Sequence, residues 1–263
     1  MQLLIQQSKL IQTSLQALTL GIFLSLVAFI ASAEEEEFVE GKDYRLVETE
    51  VQEELAKDKA AADADASDDA DADADTNNKI KVVEFFNYAC PHCYSLEPII
   101  KEWLEEKEDD VQFVREAVPL RNAWVPLARA FYIAEEFDVT ADVHDTLFRA
   151  IFEYNLNMQR KDLLEQLFVK KGVESEEFNK AYSSEKVYNS LRATQSRMRL
   201  LGLKGTPAIV VDEKYVVDTE LADGHERMFE IVEYLVDKVR IQKKEASQAD
   251  PSQSTNSVGS STD

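Results

Sequence analysis

The chain has two cysteines, and they stand together as Cys90-Pro91-His92-Cys93. The tetrad follows a strongly apolar run, Lys81-Val82-Val83-Glu84-Phe85-Phe86-Asn87-Tyr88, and precedes helical spacing over residues 96–104. A buried strand therefore delivers both sulfurs to the first turn of a helix. The unpaired N–H groups and positive dipole end of a helix favour an anion, so a thiol placed there ionises more easily. Pro91 suits the first helical turn, where its missing N–H costs little. His92 adds a donor or a positive charge beside the thiolate. The motif reads as a redox-active dithiol. Cys90, nearer the helix start and the solvent, is the attacking and attacked sulfur, and Cys93 is the resolving thiol.

Two blander readings compete with this one. A structural disulfide across so short a loop would constrain the unfolded chain little. A zinc site needs about four ligands, and His92, His144 and His225 are the histidines that could complete one.

The amino terminus carries an apolar stretch over 18–30, then Ala31-Ser32-Ala33 and an acidic run, Glu34-Glu35-Glu36-Glu37. The stretch is short for a bilayer span and ends on the A-x-A exit of a secretory signal. Residues 1–33 read as a removed signal, with a retained membrane anchor as the alternative. Export changes what the cysteines mean. In an oxidising compartment a solitary CxxC can hold and pass on a disulfide, and this chain has no other cysteine to pair.

Residues 34–55 read as an N-terminal edge segment, with Tyr44-Arg45-Leu46-Val47 as a short edge strand. Residues 56–78 are dominated by alternating Asp and Ala, repel themselves and have almost nothing to bury. The expectation there is a disordered acidic linker; the tract lacks the glycine and ligand spacing of a calcium loop. The Ser-rich tail, 244–263, reads as disordered too. A net charge of −22 argues against nucleic acid as a partner.

Between these segments, residues 111–118 form a second strand ending at Pro119. From 121 to 183 the spacing becomes helical. Leu127, Ala130, Phe131 and Ala134 share one face, Val143, Leu147 and Ile151 a second, and Leu163, Leu164, Leu167 and Phe168 a third. Roughly four short helices between strands suggest an inserted subdomain. A further helix over 184–201 stops at Gly202. Gly205-Thr206-Pro207-Ala208 then starts a strand directly on a proline, where no ladder N–H is needed. Tyr215-Val216-Val217 returns across Asp212-Glu213-Lys214 as a hairpin, and a last helix covers about 222–243. The fold class is α/β, of about four strands over 79–120 and 184–243, with an all-helical insertion at 121–183.

Three stretches now resemble one family. Val83-Glu84-Phe85-Phe86 leading into Cys90-Pro91-His92-Cys93-Tyr94, then Gly205-Thr206-Pro207-Ala208, and Gly41-Lys42-Asp43-Tyr44 look like the DsbA family of exported thiol–disulfide oxidoreductases. The resemblance covers most of 38–243 in the family's order, and implies a thioredoxin-like fold with the helical insertion. It implies that Cys90 is the substrate-linked nucleophile, Cys93 the resolving cysteine, and His92 the residue that stabilises the Cys90 thiolate. Pro207 matches the family's cis-proline, which leaves Thr206 backbone groups free to pair with an extended substrate strand.

Glu84 and Glu97 match carboxylates that lie beneath the dithiol and tune proton movement at Cys93, a surface or salt-bridge role being the alternative. Arg115 stands where the family often has lysine. Its pairing with Glu84 or Glu97 is an expectation, and arginine cannot give up a proton. The acidic insertion before Lys79 departs from the family's shorter link. The implied activity is that of a periplasmic dithiol oxidase. It would work as a monomer, give its Cys90–Cys93 disulfide to folding exported proteins, and need no metal and no cofactor beyond that disulfide. A DsbB-like, quinone-linked membrane protein would reoxidise it. A disulfide isomerase or reductase of the same fold is the alternative, and a redox-inert chaperone or metal-binding module a second one.

Overall fold

The computed structural model describes residues 38–65 and 79–249. The expected signal, residues 66–78 of the expected linker and residues 250–263 of the tail lie outside the described residues. In chain order come β1 (Arg45–Leu46), α1 (Thr49–Asp65), β2 (Ile80–Phe86), α2 (Pro91–Glu106) and β3 (Val111–Ala117). A 3-10 turn at Asn122–Trp124 opens the helical run of α3 (Val125–Glu136), α4 (Thr140–Phe152), α5 (Lys161–Lys170), α6 (Ser175–Tyr182) and α7 (Glu185–Leu200). The chain returns through β4 (Ala208–Val211) and β5 (Tyr215–Asp218) and closes with α8 (Thr219–Ala222) and α9 (His225–Ala249).

The sheet has five strands in the order β1-β5-β4-β2-β3, with β2 and β3 parallel and the other pairs antiparallel. A parallel pair needs a crossover, and α2 supplies it. β4 and β5 need only a tight turn, made by Asp212 and Glu213 at φ of 51° and 57°. The fifth strand is β1, the edge piece anticipated at residues 44–47.

Successive strand residues point to opposite faces, and the two faces have separate cores. Ile80, Val82, Ile209, Val211 and Val217 pack on Leu96, Ile100 and Trp103 of α2 and on Met228, Val232 and Leu235 of α9. Val83, Phe85, Val210 and Val216 pack on Met198, Leu201 and Leu203, with Val47 and Leu55 closing that side. A third core joins the helical subdomain to the end of β2. Phe86, Tyr88, Cys90 and Cys93 lie in it with Leu127, Phe131, Leu147, Phe148 and Phe178.

Four boundaries differ from those expected. The helix α1 runs to Asp65, through the first residues assigned to the linker, because Ala, Glu and Lys are strong helix formers and Leu55 anchors the segment in the core. The last helix starts at His225, after Asp223 and Gly224 at φ of 52° and 140° break the chain, and it continues to Ala249. It outruns the expected end at 243 on another run of helix formers, while Lys243 bonds the carbonyl of Lys79. A domain boundary at 184 does not separate two cores either. On α7, Val187 and Leu191 belong to the subdomain's core and Met198 to the sheet's. One helix serves both.

Candidate active site

At the end of β2 the chain must turn sharply into α2, and Asn87 shapes the turn. Its fully buried side chain donates to the Val118 carbonyl at 2.5 Å and accepts from the Ala89 N–H at 2.8 Å. Its main-chain carbonyl accepts from the Cys90 N–H at 3.0 Å. The strand-to-helix corner is thereby pinned to the end of β3.

Cys90 is itself the N-cap of α2, with φ −91° and ψ 115°, and Pro91 follows in the first turn. Ser, Asp or Asn usually fills this position with an oxygen acceptor. Here the Cys90 sulfur takes that place and accepts from the Cys93 N–H at 3.4 Å. Cys90 retains 6% of its surface and Cys93 none. Both are free thiols. The Cys90 thiol also donates to the Thr206 carbonyl at 3.2 Å, and the Thr206–Pro207 peptide that follows is cis. The sulfur, the helix start and the strand start meet at one point.

The two thiols titrate far apart. The hydrogen bond from the Cys93 side chain, helped by the N–H groups of Cys93 and His92 and by the Thr206 side chain, outweighs burial and lowers Cys90 to about 5. Burial and the hydrogen bond to Cys90 push Cys93 well above the ordinary thiol range. At neutral pH the first is a thiolate and the second a thiol. It is the His92 backbone N–H that bears on the sulfur; its exposed ring lies 6.0 Å from the ring of His225, at 72°.

Beneath the dithiol lies a buried charge cluster. Glu84 and Arg115 are paired in register across β2 and β3, and Arg115 Nε donates to Glu84 Oε2 at 2.9 Å. Arg115 Nη2 reaches both Glu97 oxygens, at 3.3 and 3.2 Å. His144 of α4 places Nε2 3.0 Å from Glu97 Oε1, with the N–H bent off the line to the oxygen, and Nδ1 3.0 Å from the Tyr88 hydroxyl. Burial pushes Glu84 up to about 7 against the pull of Arg115. Burial also opposes ionisation of Glu97, but the His144 contact and the Arg115 charge hold it below the usual carboxylate value.

This geometry can be set beside known proteins. A model of the DSBA-like thioredoxin domain family matches residues 123–236. The thiol:disulfide interchange protein DsbA of Pseudomonas aeruginosa is 32% identical over 166 residues, covering 63% of this chain and 79% of the relative. The Pseudomonas syringae pv. tomato protein of the same name is 30% identical over 168 residues, 64% of this chain and 78% of its own. Among solved structures, the Pseudomonas aeruginosa DsbA crystal structure superposes with a TM-score of 0.63 at 28% identity, covering 79% of this chain and 97% of that one. The chain belongs to the DsbA family. It is a thiol:disulfide oxidoreductase with a DsbA-like thioredoxin fold and helical region.

In this DsbA-family chain, residues 90–93 and 206–207, picked out from the sequence, gather at one point. Glu84, Glu97 and Arg115 gather just below, with Arg115 bonded to both acids rather than one. The three histidines part: His92 and His225 are neighbours, while His144 is buried in the charge cluster. Sequence reasoning missed Asn87, Tyr88 and His144 as parts of the site. The signal for His144 was available, because it sits on the apolar stripe of α4 with Val143, Leu147 and Phe148. A polar side chain on a buried stripe needs a partner.

Proposed function

We propose that this protein is a periplasmic donor of disulfides, passing its Cys90–Cys93 bond to exported proteins as they fold. The observation that carries the reading is the unequal pair: an acidic, capped Cys90 against the Thr206 carbonyl, and a buried Cys93 that keeps its proton. Each pKa unit by which Cys90 falls below ambient pH favours the reduced protein by about 1.4 kcal/mol, roughly 30 mV for a two-electron couple. A protein that gains on reduction surrenders its disulfide readily.

The cycle begins when a client thiolate attacks Cys90 Sγ. The Cys90–Cys93 bond breaks, and its electron pair goes to Cys93, which takes up a proton. A second client thiolate attacks the client sulfur of the mixed disulfide, and Cys90 departs as a stabilised thiolate. The client has lost two electrons and the protein holds two reduced sulfurs. In this cycle Thr206 and Pro207 align an extended client segment beside Cys90, Pro91 and His92 shape the first turn of the helix, and Glu84 and Glu97 govern the proton at Cys93. No cofactor beyond the disulfide takes part. The protein acts as a monomer, residues 1–33 direct its export, and a DsbB-like, quinone-linked membrane protein reoxidises it.

Equilibration of the mature protein with glutathione buffers tests this. A reduction potential near ~−120 mV, that of a strong disulfide donor, is expected. A potential near ~−270 mV, that of a reductant, would overturn the reading.

A further inference from the structure

The helical subdomain sends one titratable side chain into the buried charge cluster, His144. Tyr88 is fully buried, and burial raises its phenol well above the ordinary range, so the hydroxyl keeps its proton and shares it or accepts one across the 3.0 Å contact with His144 Nδ1. Burial lowers the His144 imidazole as well, which leaves it neutral at pH 7. Nε2 lies 3.0 Å from Glu97 Oε1, a carboxylate oxygen that can only accept, so the neutral ring places its proton on Nε2 and Nδ1 then accepts from the Tyr88 hydroxyl. Glu97 therefore accepts from Arg115 on both oxygens, with His144 Nε2 3.0 Å from Oε1 but off the line of a hydrogen bond. Glu84 has Arg115 on Oε2, while its buried Oε1 has no hydrogen-bond partner among the described residues. Two buried carboxyls sharing one arginine ionise unequally, and the better-solvated one ionises first.

We propose that His144 is a positioning residue that holds Glu97 ionised and so assigns the exchangeable proton of the buried cluster to Glu84, on the strand leading to the dithiol. The inference rests on the disulfide-donor reading, in which Cys93 leaves as a thiolate and must be protonated. As the Cys90–Cys93 bond breaks, its electron pair passes to Cys93 Sγ, and one proton leaves the Glu84 carboxyl and ends on that sulfur. Glu84 becomes a carboxylate facing Arg115. The charged and titratable groups around His144 are Tyr88 ahead of α2, Glu97 and Lys101 on α2, Glu84 on β2, Arg115 on β3 and Asp145 on its own helix. Lys101 and Asp145 pair with each other at the exposed end, so the inner groups are left to share the proton.

Carbon-13 titration of the glutamate carboxyls in the reduced full chain tests this, with Glu84→Gln and Glu97→Gln for assignment. Glu84 should ionise after Glu97 in the unaltered protein. In His144→Leu the Glu97 midpoint should rise by about one pH unit or more, towards that of Glu84. His144→Gln, which retains an N–H donor, should return the Glu97 midpoint towards its original value. Unchanged midpoints in His144→Leu, or Glu97 ionising last in the unaltered protein, would overturn the assignment. If His144→Leu does not fold, nitrogen-15 spectra of the unaltered protein decide: an Nε2–H tautomer supports the assignment and an Nδ1–H tautomer sinks it. These titrations do not depend on disulfide transfer, so failure of the donor reading and failure of this one are separable.

Discussion

Cys90 Sγ lies 3.2 Å from the carbonyl oxygen of Thr206, so the nucleophile and the start of β4 share one hydrogen bond. That bond exists only while Cys90 carries its proton. Once the sulfur ionises or joins a disulfide, the carbonyl is free to accept from another N–H. A client peptide lacking cysteine, paired alongside Thr206, should bind reduced protein more tightly at pH 7 than at pH 4. Calorimetric titration across that range should place the change near the Cys90 midpoint; binding that ignores pH would refute the competition.

The Cys90 thiolate should appear with a midpoint near 5, read from thiolate absorbance in the ultraviolet. Its pKa falls on folding, so the stabilisation it gives the reduced form is fully present above the free-thiol range and is lost as pH falls through about 5. Urea unfolding should therefore find reduced protein more stable than oxidised at pH 7, with the gap closing by pH 4. The short disulfide loop offsets little of it.

Cys93→Ala should arrest the cycle at its first covalent stage. Without the resolving thiol, a mixed disulfide at Cys90 persists, and client adducts should accumulate on non-reducing gels. Cys90→Ala should give none. Adducts formed equally by both variants would reverse the proposed roles.

Arg115→Met should cost about 3–5 kcal/mol, because it removes the partner of two buried carboxyls. Denaturant titration at pH 7.5 and 4.5 separates charge from packing. Protonation of Glu84 and Glu97 should recover much of the loss at the lower pH, and a loss equal at both would point to packing alone.

Phe148→Ala should cost about 3–5 kcal/mol, since Phe148 is buried against Phe86 and Tyr88. The Cys90 midpoint should stay near 5, because the groups that lower it are at the helix start and Thr206. Unfolding and absorbance titrations together check both halves.

Much of this site was legible because its chemistry is local in sequence. Cys90 to Cys93 occupy one helical turn, and Pro207 marks a strand start by its missing N–H. Glu84 is named in the sequence only through the family resemblance, and the register that sets it opposite Arg115 follows from pairing β2 with β3. His144 was hidden because its partners, Tyr88 and Glu97, are distant in the chain and meet it only when the subdomain folds onto α2. The tract entered by α1 was misjudged for a different reason. Alternating Asp and Ala reads as solvated, but the residues just before it have helical propensity and one anchoring leucine, Leu55. The break before α9 depends on left-handed backbone at Asp223, which the sequence marks only through the following Gly224.

The third core, in which Phe86, Tyr88, Cys90 and Cys93 pack with Leu127, Phe131 and Phe148, bears on how far this molecule can be dissected. Excising residues 121–183 to leave a minimal redox unit would strip the cover from two aromatic rings and from the buried sulfur. It would also remove the histidine beside Glu97. Such a miniature would expose an adhesive apolar surface around a reactive thiol, so the helical insertion cannot be treated as a detachable module.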